Sequence, residues 1–159
     1  ELYWYLTIST EDRDIDGVTY QAQLYHQSLP IQLRNWRDFA GRELTWDSTD
    51  GSEIPDCGLS LWEHEEIPIA SLRFLQQNGA AFDMKWSGVS DLRPFDLTAT
   101  IAFNGIEVRG NERDSDESML ERLSQFVDPN DYESATLEVA DFKYATGLRT
   151  AQSHFKPKL

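Results

Sequence analysis

The sequence contains a single cysteine, Cys57, among 159 residues. One cysteine excludes an intramolecular disulfide and a cysteine-rich zinc site, and it favours a reducing, cytoplasmic compartment. No family motif for a cysteine nucleophile surrounds it. We therefore interpret Cys57 as a small residue of the protein interior.

Long apolar runs are also lacking. No stretch of about 18 apolar residues occurs, so we expect no membrane-spanning segment. The sequence shows no basic-then-apolar leader, although its start at Glu1 leaves open whether a leader was removed. With 40% hydrophobic residues spread over 159 positions, the composition predicts a single globular domain over residues 1–159 rather than a disordered chain.

Basic residues are scarce. Lys plus Arg total 14 against 28 Asp plus Glu, which gives a net charge of −14. Binding to a phosphate backbone needs Lys and Arg, so this balance disfavours nucleic acid as a partner. It disfavours anionic membrane surfaces for the same reason. A field this negative attracts basic proteins and also keeps a protein soluble.

Motifs of common enzyme classes are absent. The sequence has no P-loop, no dinucleotide-binding glycine pattern and no nucleophile elbow. The segment 62–66, WEHEE, places His64 among carboxylates, which suits proton transfer or simple surface pairing. We expect a protein without catalytic residues or cofactor, and a hydrolase built from carboxylates and His64 stays an alternative.

Strand patterns dominate the chain. Residues 2–9 are rich in aromatic and β-branched types, and residues 18–26 alternate with period two, which is typical of a strand with one wet face. Two Asn-Gly pairs, Asn78-Gly79 and Asn104-Gly105, separate further apolar-alternating segments. Since the type I′ turn needs positive φ at both central residues, each pair predicts a β-hairpin.

One helix is clear in the second half of the chain. Ser115 is a candidate N-cap, acidic residues follow it, and apolar residues then recur with helical spacing over about residues 116–127. Pro129 ends the pattern. We therefore predict an α+β fold of mainly antiparallel strands in successive hairpins, with this helix covering one face.

Asp12, Asp14, Asp16 and Gly17 reproduce the first half of a calcium loop. Position twelve of such a loop requires a bidentate Glu, but Gln23 occupies it, and strand patterns rather than helices flank the loop. We interpret Asp16-Gly17 as a turn between strands and keep Asp12, Asp14 and Asp16 as a weak calcium candidate.

Acidic residues cluster in two segments. Residues 47–66 contain seven acids and no Lys or Arg, and residues 110–133 contain eight acids and two arginines. Such runs are either solvated surface or docking sites for a basic protein. The predicted partner-binding residues are the following acids of the two segments: Glu63, Glu65, Glu66, Asp114, Asp116 and Glu117.

Charge and size together resemble those of small acidic inhibitors of basic toxins or nucleases, including bacterial immunity proteins. We therefore expect an acidic soluble binding protein that docks and masks a basic protein by charge complementarity. The alternative is a small-ligand or carbohydrate-binding β module that uses the five tryptophans for stacking. The sequence defines no oligomeric state.

Overall fold

The computed structural model describes residues 2–53, 55–60, 64–91, 93–143 and 148–159, with side chains at 15 and 141–143 excepted. The strands are β1 Trp4–Ser9, β2 Arg13–Ile15, β3 Val18–Tyr20, β4 Gln23–Leu29, β5 Glu43–Asp47, β6 Cys57–Ser60, β7 His64–Glu66, β8 Ile69–Asn78, β9 Ala81–Val89, β10 Pro94–Ala102, β11 Ile106–Asn111, β12 Glu138–Lys143 and β13 Arg149–Phe155. The helix α1 is Asp116–Ser124, and 3-10 turns cover Trp36–Phe39 and Pro129–Asp131. The predicted α+β class is confirmed. None of the helices in these ranges is long and apolar enough to cross a membrane.

The described chain divides into two compact units. Unit 1 comprises Glu1–Leu33, Arg37–Gln77 and Ala81–Ile101, and unit 2 comprises Arg34–Trp36, Asn78–Ala80 and Ala102–Leu159. The single-domain interpretation of residues 1–159 stays a prediction, because the compactness of each unit does not decide whether the two fold together.

Unit 1 is built on two four-stranded sheets. The first sheet has the order β1-β4-β6-β7 with antiparallel pairing throughout, and the second sheet has the order β10-β9-β8-β5. Apolar side chains alternate along each strand, so one face of each sheet is buried. Trp86 and Met84 of β9 are fully buried, and Trp46 of β5 meets His26 of β4 edge-on at a ring-centroid distance of 5.3 Å. Aromatic packing of this kind joins the two sheets into one core.

Unit 2 contains the three-stranded antiparallel sheet β11-β13-β12, against which α1 packs through β11. Met119 and Leu123 of α1 are buried, as are Ile106 and Phe155 of the sheet. The helix begins as predicted: Ser115 caps it, and its side chain and that of Ser118 each bond to the other's backbone N–H. The helix ends at Ser124, three residues before the predicted end.

The prediction of a hairpin at Asn104-Gly105 is wrong. Strand β10 before it pairs with β9, whereas β11 after it pairs with β13, so the pair connects two different sheets. Gly105 has φ of 123°, and a Cβ there would collide with the carbonyl of Phe155. Glycine is required because β13 approaches the backbone closely, and a two-residue turn is not the reason.

The other Asn-Gly pair does form a hairpin, between β8 and β9. Its two linking residues are Gly79, with φ of 60°, and Ala80, so positive φ occurs at the first central position alone. That pattern is typical of a type II′ turn rather than the predicted type I′.

The predicted strand 18–26 is divided into β3 and β4, and β1 pairs with β4 rather than with the segment next to the turn. Between them, β2 and β3 form a separate small hairpin with Asp16 and Gly17 at its tip, at φ of 54° and 80°. Positive φ at both positions is the type I′ geometry, so the interpretation of Asp16-Gly17 as a turn is confirmed.

Candidate functional site

The outer face of the first sheet carries a row of four residues from its four strands. Backbone register aligns Thr7 with Tyr25, Tyr25 with Gly58, and Gly58 with Glu66. Residues opposite one another in antiparallel strands point to the same side of a sheet. Gly58 therefore leaves a gap in the side-chain layer between Tyr25 and Glu66.

The ring of His64 partly fills that gap. His64 Nδ1 lies 3.0 Å from Tyr25 Oη, and the two rings stack at 5.9 Å with an interplanar angle of 24°. A Cβ at Gly58 would lie 2.9 Å from Tyr25 Oη and would collide with the His64 ring. Only glycine at this position lets the stacked pair lie flat on the sheet.

Tyr5 and Asp56 extend this surface. Tyr5 is 61% exposed and lies between the buried residues Trp4 and Leu6 of β1. Burial raises the pKa of Tyr25, and the negative charge of Asp56 and the neighbouring Tyr5 raise it further. The Tyr25 phenol is therefore neutral and keeps its proton at physiological pH. We name the surface formed by Tyr5, Tyr25, Asp56, His64 and Glu66 the Tyr25 face.

The loop that leads into Asp56 is acidic and locally ordered. Asp47 accepts hydrogen bonds from the backbone N–H and the hydroxyl of Thr49, and Asp50 accepts one from the backbone N–H of Ser52. These bonds lower the pKa of both carboxyls, so both stay ionised. The loop thus presents exposed carboxylates at Asp47, Asp50, Glu53 and Asp56, the first two of which are held by these bonds.

Glu65 differs from the exposed docking residue that the sequence predicts. It is 3% exposed on the inner side of β7, where its carboxylate accepts a hydrogen bond from Ser90 Oγ at 2.5 Å and pairs with Arg93 Nη2 at 2.9 Å. The bond from Ser90 and the adjacent guanidinium lower the pKa of Glu65. Successive side chains of a strand point to opposite faces, so Glu65 points inward while its neighbours His64 and Glu66 point outward.

Asp114 is likewise a structural residue rather than a free surface acid. Its Oδ1 pairs with Arg122 Nη2 at 2.6 Å, its Oδ2 accepts the backbone N–H of Asn111 at 2.8 Å, and its side chain is 11% exposed. Asp116 Oδ1 accepts the backbone N–H of Leu137 at 2.7 Å. Glu117 is exposed in the first turn of α1, where its own backbone N–H and Ser115 lower its pKa.

Three other predictions concern Glu63, the calcium candidate and Cys57. Glu63 lies outside the described residues. Within the ranges that the structure describes, no group of three or more His, Cys, Asp or Glu residues is placed to hold a metal ion, and the calcium candidate at Asp12, Asp14 and Asp16 stays a prediction. Cys57 is buried, as predicted, and burial raises the pKa of its thiol to about 12, which removes the thiolate that a nucleophile needs.

Tyr5, Tyr25 and Asp56 were not among the predicted site residues. A signal for Tyr25 is present in the sequence, because the alternation of residues 18–26 places it on the polar side of the strand, with Gln23. Tyr25 is half-buried on this face, and tyrosine is a residue type that anchors interfaces. Its partner His64 is 39 positions away along the chain, and no local pattern joins the two.

The chain matches no protein-family model, no curated protein and no solved structure. Its function has to be inferred from the chemistry of its own residues.

Proposed function

We propose that this chain is an acidic binding protein that docks and masks a basic protein, and that the Tyr25 face is its docking surface. One observation carries the proposal: two outward-facing tyrosines lie on the same sheet face as Glu66 and beside Asp56, and the segment 43–72 that supplies both acids has no Lys or Arg. Aromatic anchors next to acids are the combination that an arginine- or lysine-rich surface would need.

The acids and the tyrosines have different parts in this proposal. Asp47, Asp50, Glu53 and Asp56 create a negative field that extends about 8 Å at physiological salt and speeds encounter with a basic partner. Tyr5 and Tyr25 act after encounter, since arginine and lysine side chains stack on phenol rings at contact distance. Acid substitutions should therefore change the association rate, and tyrosine substitutions should change the dissociation rate.

Two triple variants with equal net charge test the location. One carries Asp50→Asn, Glu53→Gln and Asp56→Asn next to the Tyr25 face, and its matched control carries Glu117→Gln, Glu121→Gln and Glu133→Gln in unit 2. Each removes three of the 14 net negative charges and leaves −11. The probe is a hexa-arginine peptide whose binding is measured by fluorescence at low salt and by NMR shift mapping.

We expect the first variant to bind the peptide about tenfold more weakly, from roughly 0.5 kcal/mol per acid, and the control to bind within about threefold of the native chain. Shift changes should concentrate at Tyr5, Tyr25 and residues 47–56. Equal weakening in both variants, or shifts spread over all acids, would show that only total charge matters and would remove the assignment.

A Tyr25→Ala variant separates anchoring from steering. The peptide should dissociate several-fold faster, with an unchanged association rate and unchanged salt dependence, because the charges are all retained. Gln23→Ala, on the same face of the same strand, is the control. An unchanged dissociation rate for Tyr25→Ala would exclude the tyrosine as an anchor. The same measurements would then be repeated with a basic protein captured from lysate.

The carbohydrate-binding alternative finds less support. Trp4, Trp36 and Trp86 are buried in the core, and Trp46 is half-buried and donates its indole N–H to the carbonyl of Ile67 at 2.8 Å. Among the residues that the structure describes, no tryptophan therefore offers an exposed stacking platform.

A further inference from the structure

Strand β10, Pro94–Ala102, lies at an edge of the second sheet. It pairs with β9 on one side, and within the described ranges no strand lies on its other side. It spans nine residues, which is long for an edge strand. An edge of this length presents a row of backbone donors and acceptors to another chain.

Two hydrogen bonds define which backbone groups face outward. The N–H of Ser90 donates to the carbonyl of Arg93 at one end of the β9–β10 hairpin, and the N–H of Phe103 donates to the carbonyl of Ala80 at the other. Backbone groups alternate sides along an antiparallel strand, so odd-numbered residues of β10 bond to β9. Asp96, Thr98 and Thr100 then direct their N–H and C=O groups to the open edge.

The apolar row of β10 is also incompletely covered. Phe95, Leu97, Ala99 and Ile101 alternate with exposed residues, yet all four are only half-buried. The neighbouring row on β9, by contrast, is sealed, and its three large side chains Phe82, Met84 and Trp86 are 3%, 0% and 0% exposed. An added strand with the same alternation would cover this apolar row and would also form hydrogen bonds with the outward-directed backbone groups of β10.

Charged residues protect the middle and end of this edge strand less than they protect other edges of the sheets. No Lys, Arg, Asp or Glu occurs from Leu97 to Ile106, in a chain that is 26% charged. Strand β5, at the opposite edge of the sheet, is five residues long and begins and ends with the acids Glu43 and Asp47. At the edge strand β1, an irregular register between Trp4 and Leu6 disturbs the ladder. Charges, prolines, short strands and bulges are the usual protections of an edge. Strand β10 has a proline only at its first position, Pro94, and one charge, Asp96, whose carboxylate pairs with Lys85 Nζ of β9 at 2.9 Å.

We propose that β10 pairs antiparallel with β10 of a second copy of this chain and joins the two second sheets into one continuous sheet. With the two-fold axis at Thr98, Thr98 faces its own copy, Leu97 faces Ala99, and Asp96 faces Thr100. Outward-directed backbone groups then meet outward-directed groups, apolar side chains lie on one side, and no two acids are opposite each other.

The salt dependence of this pairing is opposite to that of basic-partner binding. Each copy carries −14, so repulsion opposes dimerisation at low salt, and high salt screens that repulsion. Docking of a basic partner should weaken as salt rises. The two proposals are therefore independent, and the failure of one leaves the other intact.

Sedimentation velocity over a concentration series, at low salt and at about 1 M salt where the screening length is roughly 3 Å, tests the pairing. The native chain should form a dimer whose dissociation constant falls as salt rises. Thr98→Lys places two like charges at the axis and should raise that constant by roughly tenfold or more. The matched control is Thr45→Lys, since Thr45 is an exposed threonine on the opposite edge strand of the same sheet.

Hydrogen exchange gives a second readout that does not depend on a variant. The amides of Thr98 and Thr100 should become protected only at concentrations where the dimer forms, whereas those of Leu97 and Ala99 should be protected at every concentration. A chain that stays monomeric at high salt, or a dimer that Thr98→Lys and Thr45→Lys weaken equally, would overturn the proposal.

Discussion

Two acidic regions of the molecule differ in what neutralises them. In unit 2, three carboxylates have arginine partners within 2.6 Å: Glu107 with Arg109, Glu112 with Arg149, and Asp114 with Arg122. In unit 1, Asp47 and Asp50 bond to backbone and hydroxyl groups of their own loop, and the sequence supplies no Lys or Arg between Arg42 and Arg73.

The difference shows that acid density alone does not define a docking surface. A carboxylate with an internal arginine has little charge left to offer a partner, and removing it leaves the arginine without its counter-ion. A carboxylate held by a turn keeps its full charge toward solvent. The three paired acids of unit 2 therefore contribute to stability, and the acids of the loop keep their charge toward solvent, where the proposed function needs it.

The largest effect is expected at Glu65, the buried paired acid of unit 1. Glu65→Gln keeps the shape but removes the charge that Ser90 and Arg93 stabilise, so the free energy of unfolding should fall clearly at pH 7. Because the folded-state pKa of Glu65 is lowered, its contribution is fully present above about pH 4.5 and is lost as the pH falls through the lowered value.

Urea unfolding of both chains over a pH series measures this. The difference in the free energy of unfolding between the native chain and the variant should be constant near neutral pH and should become smaller below about pH 4.5. A gap that stays constant down to acid pH would show that the charge of Glu65 is not what stabilises the fold.

A smaller loss is expected for Arg122→Gln in unit 2. The change leaves Asp114, with 11% of its side chain exposed, without its cation and also removes a hydrogen bond to the carbonyl of Arg109. We expect a loss of about 1–3 kcal/mol in urea unfolding. The neighbouring Arg113→Gln removes the same charge from an exposed position and should change stability by less than about 0.5 kcal/mol. Equal losses in the two variants would contradict the assigned role of the Asp114 pair.

The smallest effect is expected on the melting temperature when acids of the loop, or a paired acid of unit 2, are replaced by neutral residues. Removing the loop charges with Glu53→Gln plus Asp56→Asn should slightly raise the melting temperature at low salt, because relieved repulsion adds about 0.5 kcal/mol or less per acid to the free energy of unfolding. Glu112→Gln should lower it, since Arg149 loses its partner. Both changes should shrink at about 1 M salt, where surface charges are screened. A fall in melting temperature for the loop variant would mean that its acids do have stabilising partners.

Much of the fold follows from local sequence. Aromatic and β-branched residue types predict β1, alternation predicts β4, β9 and β10, and the N-cap Ser115 predicts the start of α1. The small turn at Asp16-Gly17 has the backbone geometry that its residue types favour. These features depend on neighbours within a few positions, so the sequence displays their cause directly.

Less of the candidate site could be predicted from the sequence. The alternation of residues 18–26 indicates that Tyr25 faces solvent, and the acid-rich composition of residues 47–56 indicates a negative loop. Nothing local indicates that His64 stacks on Tyr25 across Gly58, or that Glu65 turns inward to meet Ser90, because these partners are 25 to 39 positions apart.

The sequence by itself therefore determined the α+β class, the turn at Asp16-Gly17, the helix start and the negative charge, all of which arise from local conformational preference or simple counting. Tertiary structure alone decided strand partners and the use of each acid. Asn104-Gly105 permits a turn, yet β11 pairs with β13 over six positions, and that ladder outweighs a local preference. Likewise, a carboxylate stabilises the fold or stays directed to solvent according to whether folding brings an arginine to it.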